Sequence, residues 1–147
     1  MGFELRRLGI DDSVALVELF ESVLPGFSHR PGFDVLDPAS FLRDPGSFAF
    51  GAYSESVPAG LAWGVQMRCP NGELVTYLHE LDVREEYRRL RIATSLVESS
   101  MVLARERGSS RFWLTTGGHN VRAQALYDSL AGVRKPLGDV SYWWDLD

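Results

Sequence analysis

Two hydrophobic periods alternate along the chain. Phe3 to Leu8 reads as a short strand, and Val14, Val17, Leu19, Phe20 and Leu24 then recur at helical spacing, behind Asp11 or Asp12 as N-cap and ahead of Pro25 as terminator. Residues 25–36, rich in Gly, Pro and aromatics, read as a surface loop. Asp37 followed by Pro38 supplies an N-cap and a first helical position for a short helix to Arg43, which Asp44, Pro45 and Gly46 end. Ser47–Tyr53, Val57–Arg68 and Leu74–Val83 read as strands joined by polar turns, a meander. An Arg-rich loop then leads into a helix over Ile92–Arg107, a strand over 111–116, a helix over Asn120–Leu130 and a last strand near Val140–Leu146. This order predicts an α+β fold: a mixed, mostly antiparallel central sheet with helices on both faces.

Composition narrows the classes. At 147 residues and 45% hydrophobic, the expectation is one domain spanning 1–147, large enough to bury about 70% of its unfolded surface without disulfide or metal support. No apolar stretch approaches the roughly 20 residues that span a bilayer, and MGFELRRLGIDD has no apolar core with a cleavage site, so a cytoplasmic protein without membrane association is expected. Cys69 is the single cysteine and the three histidines are scattered, which disfavours a disulfide, a Cys-rich zinc site or any other metal site. No repeat interrupts the chain.

The net charge of −5 argues against general nucleic-acid binding, yet its distribution is uneven. Arg84, Arg88, Arg89 and Arg91 cluster within eight residues, between a predicted strand and a predicted helix. A helix N-terminus leaves backbone amides unpaired and adds the positive end of the helix dipole, so this junction is an anion site that the arginines reinforce. A pyrophosphate is its natural guest, because guanidinium forks match phosphate oxygens.

The run Arg88, Arg89, Leu90, Arg91, Ile92, Ala93 resembles the cofactor loop Q/R-x-x-G-x-G/A of the GNAT superfamily of acyl-CoA-dependent N-acetyltransferases. Leu81, Val83, Tyr87 and Leu96 fall at matching spacing around it. A second motif, NVRAQALY at 120–127, is similar to the family's N-x-x-A-x-x-L-Y on a later helix. Arg91 departs from the pattern by replacing the first loop glycine. A positive φ there would cost roughly 1–2 kcal/mol, whereas a helical φ would leave Arg91 as an added phosphate contact.

The resemblance implies acetyl-CoA as cosubstrate. Backbone groups of Leu81 and Val83 would pair with the pantetheine amides as a pseudo-strand, the amides of Arg88, Arg89, Leu90, Arg91, Ile92, Ala93 and Thr94 would hold the pyrophosphate, and Asn120 would bond the pantetheine arm. Tyr127 would donate its phenolic proton to the departing thiolate. A base must free the ammonium of the acceptor, since an alkylamine has a pKa near about 10. Glu80 ranks first and His79 second. Strand alternation sets them on opposite faces, although a bulge, frequent in this strand of the family, would scramble that alternation.

The acidic remainder favours a small cationic amine, polyamine-like or aminoglycoside-like, with a loose likeness to the branch that acetylates aminoglycosides at the 3-amino group. Acceptor choice then falls to the loops around 25–36 and 69–73. The alternatives are a non-catalytic acyl-CoA sensor, an interaction module, or an enzyme acting on a protein or peptide amine. Tyr142, Trp143 and Trp144 read as packing residues, and an aromatic C-terminal edge strand makes a homodimer plausible.

Overall fold

The computed structural model describes residues 2–24, 37–135, 140, 142, 144 and 146. The chain divides into two compact units, residues 1–115 and residues 116–147.

In the first unit, β1 (Glu4–Arg7), β2 (Ser47–Ser54), β3 (Val57–Arg68), β4 (Leu74–Val83) and β5 (Arg111–Trp113) form one sheet in the order β1-β2-β3-β4-β5. The first four strands pair antiparallel, as the meander predicts, and β5 pairs parallel with β4. Helix α1 (Ser13–Val23) and helix α2 (Pro38–Arg43) follow β1, and α3 (Ile92–Glu106) lies between β4 and β5. Leu16, Leu19 and Val23 of α1 pack with Ala49, Tyr53 and Leu61 in one buried cluster. On the other face Gly60 admits α3, for a Cβ there would stand 3.0 Å from Ile92 Cγ2 and 3.2 Å from Leu96 Cδ1. Helices therefore cover both faces, and the sheet buries Leu61 on one and Leu96 on the other.

Local chemistry explains most boundaries. Asp37 caps α2 through its carboxylate, which accepts from the Ser40 amide at 3.0 Å and the Ser40 hydroxyl at 2.7 Å. Asp12 occupies the N-cap position of α1 without capping it, because its carboxylate accepts from the Gly9 amide instead. Strand β5 stops at Trp113, three residues short of the run read from sequence, and its ladder with β4 ends at Tyr77–Trp113.

The second unit contains α4 (Val121–Ser129), capped by Asn120, whose side chain accepts from the Ala123 amide at 3.1 Å. His119 sits in the turn before it. Of the expected last strand, residues 140, 142, 144 and 146 carry no strand pairing; Trp143 and the rest lie outside the described residues, as do His29 and the loop 25–36. Tyr142 and Trp144 stack at 5.8 Å and are both exposed, not core.

Candidate active site

β4 changes character halfway along. Leu74 to Leu78 pairs regularly with β3, and Val75 to Tyr77 also pairs with β5. The register then slips: Gly64 faces Leu78 whereas Trp63 faces Glu80, so His79 is an extra residue on β4, a bulge. Gly64 makes this possible, since a Cβ at that position would collide with the Tyr77 carbonyl oxygen and the Phe48 ring.

The bulge corrects the expectation of opposite faces for His79 and Glu80. Residues opposed across a ladder share a face, so Glu80 shares one with Trp63, and Asp82 with Leu61, the face that α1 covers. His79 stacks on Trp63 with centroids 4.3 Å apart, and its Nδ1 lies 3.8 Å from Glu80 Oε2. Both candidate bases thus stand together. The His79 side chain is 46% exposed and that of Glu80 24%. Burial pushes the Glu80 carboxyl above its ordinary range, with the neighbouring Asp82 adding to the rise and His79 opposing it. Burial also raises Asp82.

The far half of β4 offers a free backbone edge on the side away from β3. The Arg84 amide donates to the Ala59 carbonyl at 2.9 Å, so alternation turns the backbone groups of Leu81 and Val83 away from β3. Among the described residues no strand meets that edge beyond Tyr77. Side chains stand in: Asp82 Oδ1 accepts from the Val83 amide at 2.9 Å, and Arg88 Nε donates to the Val83 carbonyl at 3.3 Å. These are exchangeable partners of the kind a ligand's amide groups replace.

After a 3-10 turn at Glu85–Tyr87 the chain enters α3 through two left-handed residues, Arg89 at φ 68° and Arg91 at φ 65°. Arg91 is the N-cap and gives no side-chain cap; the first helical bond runs from the Ser95 amide to the Arg91 carbonyl. The amides of Ile92, Ala93 and Thr94 therefore precede the helical ladder, beside exposed Arg88, Arg89 and Arg91. Of the two outcomes open for Arg91, the strained positive φ is the one observed.

Asn120 and Tyr127 lie on the second unit, at the N-cap and in the second turn of α4. Burial raises the Tyr127 phenol, which keeps its proton on the oxygen at neutral pH. Among the described residues no group of three or more His, Cys, Asp or Glu is placed to hold a metal ion, and no helix is long and apolar enough to cross a membrane.

Three features escaped the sequence reading. Asp82 is a second carboxylate on the Glu80 face, a position that the E-x-D spacing could have revealed. Trp63 supports His79, which only the register shows. A cavity of about 200 Å³ lies against Trp63, lined among others by Leu16, Val17 and Phe20 of α1, by Phe41 of α2 and by its N-cap Asp37. The turn at 69–73, expected to choose the acceptor, closes at the opposite end of β4, about 20 Å along the strand from Glu80. It is too distant to touch the same substrate atoms.

The acetyltransferase (GNAT) family model matches residues 14–132. A curated human protein, N-acetyltransferase 8, is 35% identical over 97 residues, 65% of this chain but only 42% of the human protein's length. Among solved structures, the aminoglycoside acetyltransferase HMB0005 from an uncultured soil metagenomic sample superposes with TM-score 0.84 at 21% identity, covering 99% of this chain and 100% of that one. Aminoglycoside N-acetyltransferase AAC(6')-Iy in complex with CoA gives TM-score 0.77 at 16% identity, covering 98% and 95%.

Proposed function

The chain belongs to the acetyltransferase (GNAT) family, and on that premise we propose that it is an N-acetyltransferase moving an acetyl group from acetyl-CoA to a primary amine of a small cationic substrate by direct attack in a ternary complex. The observation that carries this reading is the open edge of β4, where the Val83 amide and carbonyl are satisfied by side chains at the same strand end that presents Glu80. Leu81 and Val83 fit the pantetheine amides, the amides from Arg89 to Thr94 fit the pyrophosphate beside the Arg88, Arg89 and Arg91 side chains, the Arg88 amide itself donating to the Glu85 carbonyl, and Asn120 fits the pantetheine arm.

Acetyl-CoA, when bound, supplies an electrophilic thioester. The protein's residues move the protons. Glu80 takes the proton of the acceptor ammonium, directly or through water, and its raised proton affinity suits that task near neutral pH. The freed nitrogen forms the C–N bond as the C–S bond breaks. Tyr127 Oη gives its proton to the departing sulfur and regains one from the nitrogen, which sheds a proton on becoming an amide. The paired carboxylates Glu80 and Asp82, on one face of a chain of net charge −5, favour a cationic acceptor.

The test has two stages. Acetyl-CoA at about 100 times its dissociation constant adds about 2.7 kcal/mol of stability, read as a rise in melting temperature. Release of free CoA is then followed across a panel of amines. No thermal shift would make the domain an interaction module; a shift without turnover would make it a sensor.

A further inference from the structure

The cavity beside Trp63 narrows the acceptor. Its volume of about 200 Å³ exceeds the roughly 150 Å³ that suffices for a benzene ring in an apolar cavity. Leu16, Val17, Phe20, Phe41 and Trp63 supply an aliphatic and aromatic lining, and Asp37 supplies a carboxylate. Trp63 joins this cavity to the candidate base. One indole meets Phe41 edge-on at 5.5 Å, lies against His79 at 4.3 Å and pairs with Glu80 across the ladder. The Trp63 ring therefore borders the cavity and also lies against His79, which stands beside Glu80.

We infer that this cavity receives the apolar group of the acceptor, which is an amphipathic monoamine: a primary ammonium held near Glu80 and, a few bonds away, a phenyl or branched alkyl group seated between α1, Phe41 and Trp63. The inference rests on the acetyl-transfer reading and chooses within it. Charge complementarity sets the orientation, because β4 carries the Glu80 and Asp82 carboxylates on the face of Trp63, while the described lining of the cavity is nearly all hydrocarbon. Among the described lining residues a sugar ring or a second ammonium finds only the Asp37 carboxylate, which already accepts from the Ser40 amide and hydroxyl. Each hydroxyl or ammonium placed there loses its hydration, and the Trp63 indole Nε1, buried and without a partner among the described residues, is a donor that a hydrocarbon leaves undisturbed but that only a precisely placed acceptor would satisfy. Aromatic rings around an apolar group also gain contact area that a polyol forgoes.

The experiment compares phenethylamine, isoamylamine, ethanolamine, spermidine and an aminoglycoside as acceptors, by free-CoA release and by calorimetric binding to the CoA-loaded protein. The expected result is a kcat/KM for phenethylamine and isoamylamine at least tenfold above the other three. Val17→Phe, which fills the cavity from α1, is expected to lower the phenethylamine-to-ethanolamine ratio of kcat/KM at least tenfold, with the acetyl-CoA thermal shift retained. Val17→Thr, nearly isosteric, makes the lining polar without filling it and should lower the ratio several-fold. Preference for spermidine or the aminoglycoside, or a ratio unmoved by both variants, overturns the inference while leaving amine acetylation standing. Binding of phenethylamine that Val17→Phe abolishes, with no turnover of any amine, upholds the cavity's ligand class and overturns the acetyl-transfer reading instead. No binding and no turnover of the two apolar amines overturns the inference outright.

Discussion

The two halves of β4 are equal in length and opposite in character. From Leu74 to Leu78 the strand is paired regularly, Val75, Thr76 and Leu78 are buried, and the Thr76 hydroxyl is satisfied by Ser109 at 2.6 Å. From His79 to Val83 one edge is open, two carboxylates are half-buried, and backbone groups rely on side chains. The difference teaches where reactivity resides: a completed ladder leaves no group to spare, and an interrupted one leaves donors, acceptors and proton affinities unspent. Substitutions in the first half should therefore cost stability, and those in the second half should cost rate.

The largest expected effect is at Glu80. Glu80→Gln should lower kcat/KM by about 10²- to 10⁴-fold with the acetyl-CoA thermal shift retained, as loss of a general base does. In the wild-type protein kcat/KM should rise with pH through an inflection above the ordinary carboxylate range, because only the ionised Glu80 accepts a proton; the variant should lack that limb. The stability sign is opposite. A carboxyl whose folded pKa is raised binds protons more tightly in the folded state, so its contribution falls as pH climbs from the ordinary glutamate value through the raised one. Glu80→Gln removes that decline, and equilibrium unfolding at pH 5 and pH 8 checks it.

Next comes the completed half. Leu78, 2% exposed, should lose about 2–5 kcal/mol on replacement by Ala, measured by denaturant unfolding, with kcat changed little in the fraction that stays folded. A large loss of kcat with intact stability would erase the distinction between the halves.

A smaller effect is expected in the loop. Arg91→Gly should relieve about 1 kcal/mol of left-handed strain, raising the melting temperature of the free protein. It should also flatten the dependence of acetyl-CoA affinity on salt, because one phosphate-facing cation is gone. The smallest belongs to His79. His79→Phe keeps a ring against Trp63 and should change kcat/KM by less than about threefold; a fall as deep as that of Glu80→Gln would move the base to the imidazole.

Features specified within a few residues were legible in the sequence. Asp37 and Pro38 start α2 and Asn120 caps α4 through contacts three residues long, so the residue types alone announce them. The meander follows from alternation and turn residues, and the arginine loop from its cluster of charge. What escaped depends on partners far along the chain. The bulge at His79 exists because residue 64, on another strand, is glycine; the early end of β5 and the cavity between α1, α2 and Trp63 are likewise properties of packed elements. The left-handed φ of Arg91 belongs between the two cases, since the family's glycine at that position signalled the backbone that arginine adopts.

The extra residue at His79 also acts as a phase setting. A strand with one more residue than its partner uncouples the two stretches on either side, so the inward and outward assignment of Glu80 to Val83 is fixed independently of that of Leu74 to Leu78. Were His79 paired opposite Trp63 instead, four consecutive side chains would invert, swapping the carboxylates Glu80 and Asp82 with Leu81 and Val83. A protein built this way aims its chemistry by holding one residue out of the pairing, while the ladder that holds the sheet together keeps its core.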